Sequence, residues 1–162
     1  MPGLRIGYMV LPKAISQAVA SAKYSTDIST SGFIQRAFEL YLNSGGHYAH
    51  IDRMCSIFKA KYSLITSLID EKLSPYFTYN KTDGGLTLWL RLKSNAVSAD
   101  ELYSALSKCG VLIMPGSLFT TNDDEVKRHI RISYANVSDE EITEGINTMA
   151  DVCKQLYTKE NL

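Results

Sequence analysis

The sequence has 162 residues, which suits one domain or two small ones. Hydrophobic residues make up 45% and charged residues 21%, so an ordinary core can form. With 17 basic and 17 acidic side chains, no net charge draws the chain to nucleic acid or to an acidic membrane. No apolar run nears the roughly 18 residues that span a bilayer. The first apolar run lacks the basic leader and small-residue cleavage site of a signal peptide. Cys55, Cys109 and Cys153 are widely spaced and odd in number, with no C-x-x-C pair. They are expected to be reduced, mostly buried thiols of a cytosolic protein. His47, His50 and His129 do not cluster in sequence, so no metal site is expected.

Residues 4–11 form an apolar run with β-branched and aromatic members, which predicts a strand covered on both faces. Pro12 ends it and can open a short helix, PKAISQAVASAKY. After a polar loop, Ser29, Thr30 or Ser31 can cap the helix GFIQRAFELYL, which the NSGG stretch stops. A long helix follows. Tyr48, Ile51, Cys55, Phe58, Tyr62, Ile65, Ile69 and Leu73 recur at steps of three and four and give it one apolar stripe. A helix of that length commonly bridges two layers or two domains.

Beyond Pro75 the period changes. PYFTY predicts a short strand, NKTDGG a turn, and LTLWLRL an alternating hairpin partner. Ser98 and Glu101 have capping-box spacing at the start of the helix ELYSALSKC, which Gly110 stops. VLIM predicts a buried strand ended by PGS. The charged stretch TTNDDEVKR predicts a loop, and HIRISYA another strand. A second capping box, Ser138 with Glu141, starts the terminal helix. The fold class is therefore α/β. A long helical segment is followed by a β-β-α-β-β-α layer with two helices on one sheet face.

Alternation in HIRISYA places His129, Arg131 and Ser133 on one face and Ile130, Ile132 and Tyr134 on the core face. A guanidinium aimed from a rigid strand offers planar paired donors that fit a carboxylate. Taken alone, such an arginine also reads as an ordinary solvent-facing strand residue. Arg5 in an apolar run needs an anion or a polar edge, because an unpaired buried charge is very costly. Trp89 reads as a core or interface residue, and His47 and His50 as surface or interhelix residues.

Four stretches in order, PGLRIGYMVLP, GGLTLWLRL, GVLIMPGSLF and HIRISYA, resemble the C-terminal half of fold-type-I pyridoxal-phosphate-dependent aminotransferases of class I/II. The resemblance runs over essentially the whole chain. Gln35, Gly46, Tyr48, His50, Ile51, Arg53 and Met54 are similar to a pattern of one branch. That branch holds the aminoadipate-type aminotransferases and the MocR/GabR-type regulators of the GntR superfamily. The resemblance implies that Arg5 binds the cofactor phosphate and Arg131 the substrate α-carboxylate. It places Ser117 and Phe119 in a loop at the mouth of the site, as substrate-binding residues beside Arg131. It puts the Schiff-base lysine upstream of Met1, so the chain itself carries no catalytic residue and is expected to be inactive and cofactor-free alone.

The resemblance also divides the chain. Residues 1–12 would be a remnant strand of the large cofactor-binding domain, residues 13–73 a helical connector, and residues 74–162 the small C-terminal domain. The implied function is that of the effector- or amino-acid-binding domain of a MocR-type transcriptional regulator. The alternative is the small domain of a free-standing aminotransferase that moves amino groups between an amino acid and a 2-oxo acid. A homo-oligomer in the cytoplasm is expected, with no membrane partner and with DNA contacted only through a separate N-terminal domain.

Overall fold

The computed structural model describes residues 2–120 and 122–159. Two compact units divide the chain, Met1–Arg53 and Met54–Leu162. The first holds α1 (Lys13–Asp27), α2 (Gly32–Asn43) and the opening turns of α3 (Gly46–Leu68). Of the three hydroxyls able to cap α2, Ser31 does so: its Oγ accepts from the Ile34 amide at 3.5 Å. No side chain of α1 or α2 is buried.

The expected strand over residues 4–11 does not form. Pro2–Leu4 is a 3-10 turn, and residues 5–12 have no regular structure. Tyr8 is 91% exposed and Val10 88% exposed. A strand needs a ladder for its backbone groups, and an apolar run alone does not supply one. Met1, with which the expected first segment begins, lies outside the described residues.

The second unit is built around a four-stranded antiparallel sheet in the order β1-β2-β4-β3. Its strands are β1 (Phe77–Tyr79), β2 (Thr87–Leu92), β3 (Met114–Pro115) and β4 (His129–Ser133). Helices α4 (Ala99–Lys108) and α6 (Asp139–Lys159) and the last turns of α3 supply the rest of the core. Alternation explains the packing. Leu88, Leu90 and Leu92 of β2, Ile130 of β4 and Phe77 of β1 are buried on one sheet face. They meet Leu102 and Leu106 of α4 and Ile142, Ile146, Met149 and Cys153 of α6. The expected α3 stripe is buried only at its C-terminal end, through Ile65 and then through Ile69 and Leu73 in a π-helical turn.

Both capping boxes form. The Ser98 amide donates to Glu101 Oε2 at 2.9 Å, and the Glu101 amide to Ser98 Oγ at 3.2 Å. At α6 the Ser138 amide donates to Glu141 Oε2 at 2.6 Å, and the Glu141 amide to Ser138 Oγ at 3.2 Å.

Three expectations change in this unit. Of the cysteines expected to be mostly buried, Cys55 and Cys109 are exposed and Cys153 is buried. VLIM contributes one strand residue, Met114, which pairs with Arg131, and the ladder ends at Pro115 opposite Ile130. Leu112 is 75% exposed. Pro115 donates no amide, which suits a short edge strand. The charged loop contains a helical turn, α5 (Asp124–Lys127), capped by Asp123 Oδ1, which accepts from the Glu125 and Val126 amides. Thr121 of that loop lies outside the described residues. Among the described residues no helix is long and apolar enough to cross a membrane.

Candidate functional site

The helices cover one face of the sheet, and the other face carries the polar and aromatic residues. Register sets its rows. Trp89 lies opposite Arg131, Arg91 opposite His129, Thr87 opposite Ser133, and Thr78 of β1 opposite Arg91. A groove of about 440 Å³ runs over this face, lined by Thr78, Asn80, Trp89, Arg91, His129 and Arg131 among others.

Arg131 is half-buried there, on a strand with a neighbour on either side. Its Nε is fully buried and has no hydrogen-bond partner among the described residues. Its guanidinium carbon lies over the Phe119 ring, 4.8 Å from the centroid. A buried donor left without an acceptor costs about 1–3 kcal/mol. A carboxylate or phosphate oxygen is the group that would satisfy it most strongly.

The neighbouring arginines are bonded within the protein, although Arg128 Nε, like that of Arg131, is buried without a hydrogen-bond partner among the described residues. Arg91 Nε pairs with Glu125 Oε1, and its terminal nitrogen donates to Oε2 at 3.2 Å, a two-pronged pair. That bond, with the Arg91 and Arg128 charges, holds the Glu125 carboxyl below the usual carboxylate range. Arg128 donates to the Leu92 carbonyl at 3.1 Å and lies 3.6 Å from Glu125.

Phe119 and Arg131, both expected in the site, are brought together. Phe119 ends the 3-10 turn Gly116–Phe119, which follows β3 directly. Ser117, on the same turn, donates its hydroxyl to Asp100 Oδ1 of α4 at 2.7 Å. Arg5 lies in the first compact unit, exposed and with a left-handed φ of 52°. It makes no hydrogen bond or ion pair that the described residues record. Backbone of that kind is uncommon outside glycine and costs of order 1 kcal/mol or more.

Two further residues join the site, and sequence reading had not given them roles there. Trp89 stacks on the His129 ring at 5.2 Å with an interplanar angle of 10°. Phe119 meets Trp89 edge-on at 5.5 Å and 81°. His129 Nδ1 lies 2.8 Å from the Glu125 carbonyl oxygen, which can only accept, so the proton sits on Nδ1. The alternation that put His129 beside Arg131 was the available signal. The cross-strand pairing that brings Trp89 to it was not.

Chemically, among the described residues that line the groove, Arg131 carries a buried Nε without a partner, a donor that a carboxylate oxygen can satisfy. None of the lysines whose contacts are resolved shares the groove. Lys61 donates to the Ala135 and Val137 carbonyls, and Lys72 to Asn147.

Comparison with known proteins identifies the family. The family model described as aminotransferase class I and II matches residues 1–149. The uncharacterized HTH-type transcriptional regulator YdfD of Bacillus subtilis is 31% identical over 98% of this chain and 32% of its own length. Aromatic-amino-acid aminotransferase 1 of Thermococcus litoralis is 28% identical over 98% of this chain and 37% of its own. The crystal structure of LysN, an α-aminoadipate aminotransferase of Thermus thermophilus, superposes with a TM-score of 0.87 at 25% identity. That match covers 97% of this chain and 40% of LysN. The chain spans about a third of the length of these curated relatives. It belongs to the class I and II aminotransferase family.

Proposed function

We propose that this chain is the amino-acid-recognising C-terminal part of a pyridoxal-phosphate-dependent, aminotransferase-like protein. The observation that carries the reading is the buried, unpaired Nε of Arg131 beside an open groove. A two-pronged bond from Arg131 would hold the α-carboxylate and so orient the amino group and Cα of the ligand. Arg5 would hold the cofactor phosphate; its exposed guanidinium has no competing acceptor among the described residues. When bound, the cofactor supplies the electron sink for chemistry at Cα. The chain alone transfers no amino group in this reading, because none of its lysines stands in the setting of a cofactor lysine. Residues 1–12 belong with the cofactor-binding domain, residues 13–73 connect, and residues 74–162 form the small domain.

We place the chain in a MocR-type regulator, where amino-acid occupancy changes DNA binding by a separate domain. The likeness to YdfD supports this. The likeness to the Thermococcus litoralis enzyme supports the second reading, an aminotransferase acting on an amino acid and a 2-oxo acid. The two separate on one comparison: an amino acid that alters the DNA affinity of the intact protein without 2-oxo acid formation supports the regulator, and turnover supports the enzyme.

The clamp itself is tested by Arg131→Lys in the intact, cofactor-loaded protein. Lysine keeps the charge and loses the fork. Amino-acid affinity, followed through the cofactor absorbance, should fall by roughly 1.5–3 kcal/mol while cofactor affinity holds. Unchanged amino-acid affinity would remove Arg131 from the role.

A further inference from the structure

We propose that His129 is a positioning residue for Arg131, acting through the stacked rings of Trp89 and Phe119; the functional part of this proposal rests on Arg131 as the carboxylate clamp. The guanidinium must be held by something. An arginine side chain has large rotamer freedom, and freezing it is costly. No hydrogen bond among the described residues fixes Arg131; its recorded side-chain contact is the face of Phe119. Phe119 is itself 46% exposed, at the end of a short turn, and needs a support.

That support is the edge-to-face contact with Trp89, a ring geometry that is favourable in its own right. Trp89 is 38% exposed, and the imidazole of His129 lies flat against it. His129 is the one ring of the three with a polar anchor. Its Nδ1–H donates to the Glu125 carbonyl, which fixes both its plane and its tautomer. Glu125 is tied down in turn by its two-pronged pair with Arg91, the register partner of His129. The order of support is Glu125, His129, Trp89, Phe119, Arg131. Each contact is weak alone, and together they leave the guanidinium pre-set for a ligand without occupying its donors, which a carboxylate partner would do.

The test reads the guanidinium directly. In the full 162-residue chain labelled with ¹⁵N, the Arg131 Nε–H resonance is assigned by its loss in Arg131→Lys. In the wild type it should be displaced by the Phe119 ring current, and Phe119→Ala should abolish the displacement. His129→Ala should lose most of it, and His129→Phe, which keeps the flat ring, should retain more. If His129→Ala does not fold, His129→Gln removes the ring with less loss of volume and decides the matter in the same way. A resonance that is undisplaced in the wild type, or unmoved by loss of the His129 ring, overturns the proposal.

A second arm reads the consequence in the intact, cofactor-loaded protein with L-leucine as the probe. His129→Ala should raise the Kd about three- to tenfold, the scale of one or two ring contacts, with cofactor affinity unchanged. His129→Phe should recover most of the loss. If Arg131→Lys leaves the L-leucine affinity intact, the clamp reading fails and the resonance alone judges the positioning. If Arg131→Lys weakens binding and the His129 variants match wild type, the clamp stands and the positioning role is refuted.

Discussion

Gly116 shows how a single residue sets the geometry around Arg131 without touching a ligand. A Cβ placed there would lie 1.8 Å from the Val126 carbonyl oxygen and 3.0 Å from that of His129. Only the bare backbone allows the turn carrying Phe119 to pass this close to α5 and β4. Gly116→Ala should therefore destabilise the fold by about 2–4 kcal/mol, because the obstacle is backbone and cannot swing aside. Chemical denaturation would measure this, and a loss under 0.5 kcal/mol, the scale of neutral surface changes, would contradict it. The residue scale also shows what sequence could and could not reveal. The orientation of Arg131 followed from the alternation of HIRISYA, because Ile130 and Tyr134 had to be buried. The need for glycine at 116, and the contact of Trp89 with His129, depend on chains that meet only in the fold. Ser117 was legible as a loop residue, but its hydroxyl is used by Asp100, on a helix 17 positions away in sequence.

At the scale of elements, the legible ones carry their own end signals. Helices α4 and α6 begin at Ser98 and Ser138 with glutamate three residues on, and both boxes close. Ser138→Ala should cost about 1 kcal/mol, read as a shift of the denaturation midpoint with an unchanged slope. A midpoint shared with wild type would show that the box contributes nothing. The bonds from the Ser98 amide and hydroxyl hold the Glu101 carboxyl below its usual range. A carboxyl lowered by folding stabilises when ionised. Its contribution is complete above the ordinary carboxylate range and is lost as the pH falls through the lowered value. Glu101→Gln should thus narrow the stability gap to wild type at acid pH, and a gap constant from neutral to strongly acid pH would refute the assignment. The elements read wrongly lacked such signals. Hydrophobicity alone predicts strands over residues 4–11 and VLIM; the first run forms none and the second contributes Met114 alone, because an apolar run does not specify its ladder partner. The helical turn at Asp124 was hidden because charge alone reads as loop, although Asp123 was available as its cap.

At the scale of the whole molecule, the two units differ in what holds them. Among the described residues the buried apolar side chains fall in Met54–Leu162, around Leu90, Leu102 and Ile130. Helices α1 and α2 bury none. Hydrogen exchange should therefore be slowest at the amides of those core elements and fast along α1 and α2. Equal protection in both would mean that the first unit has an unrecognised source of stability. Recognition of a carboxylate by Arg131 is the central claim, and one measurement addresses it without relying on total affinity. L-leucine and 3-methylbutylamine differ only in the carboxylate, and their affinities can be compared in the intact, cofactor-loaded protein and in its Arg131→Lys variant. The wild type should prefer L-leucine by at least about tenfold, and the variant should lose most of that preference. A preference of the same size in both proteins would place the carboxylate elsewhere and contradict the account.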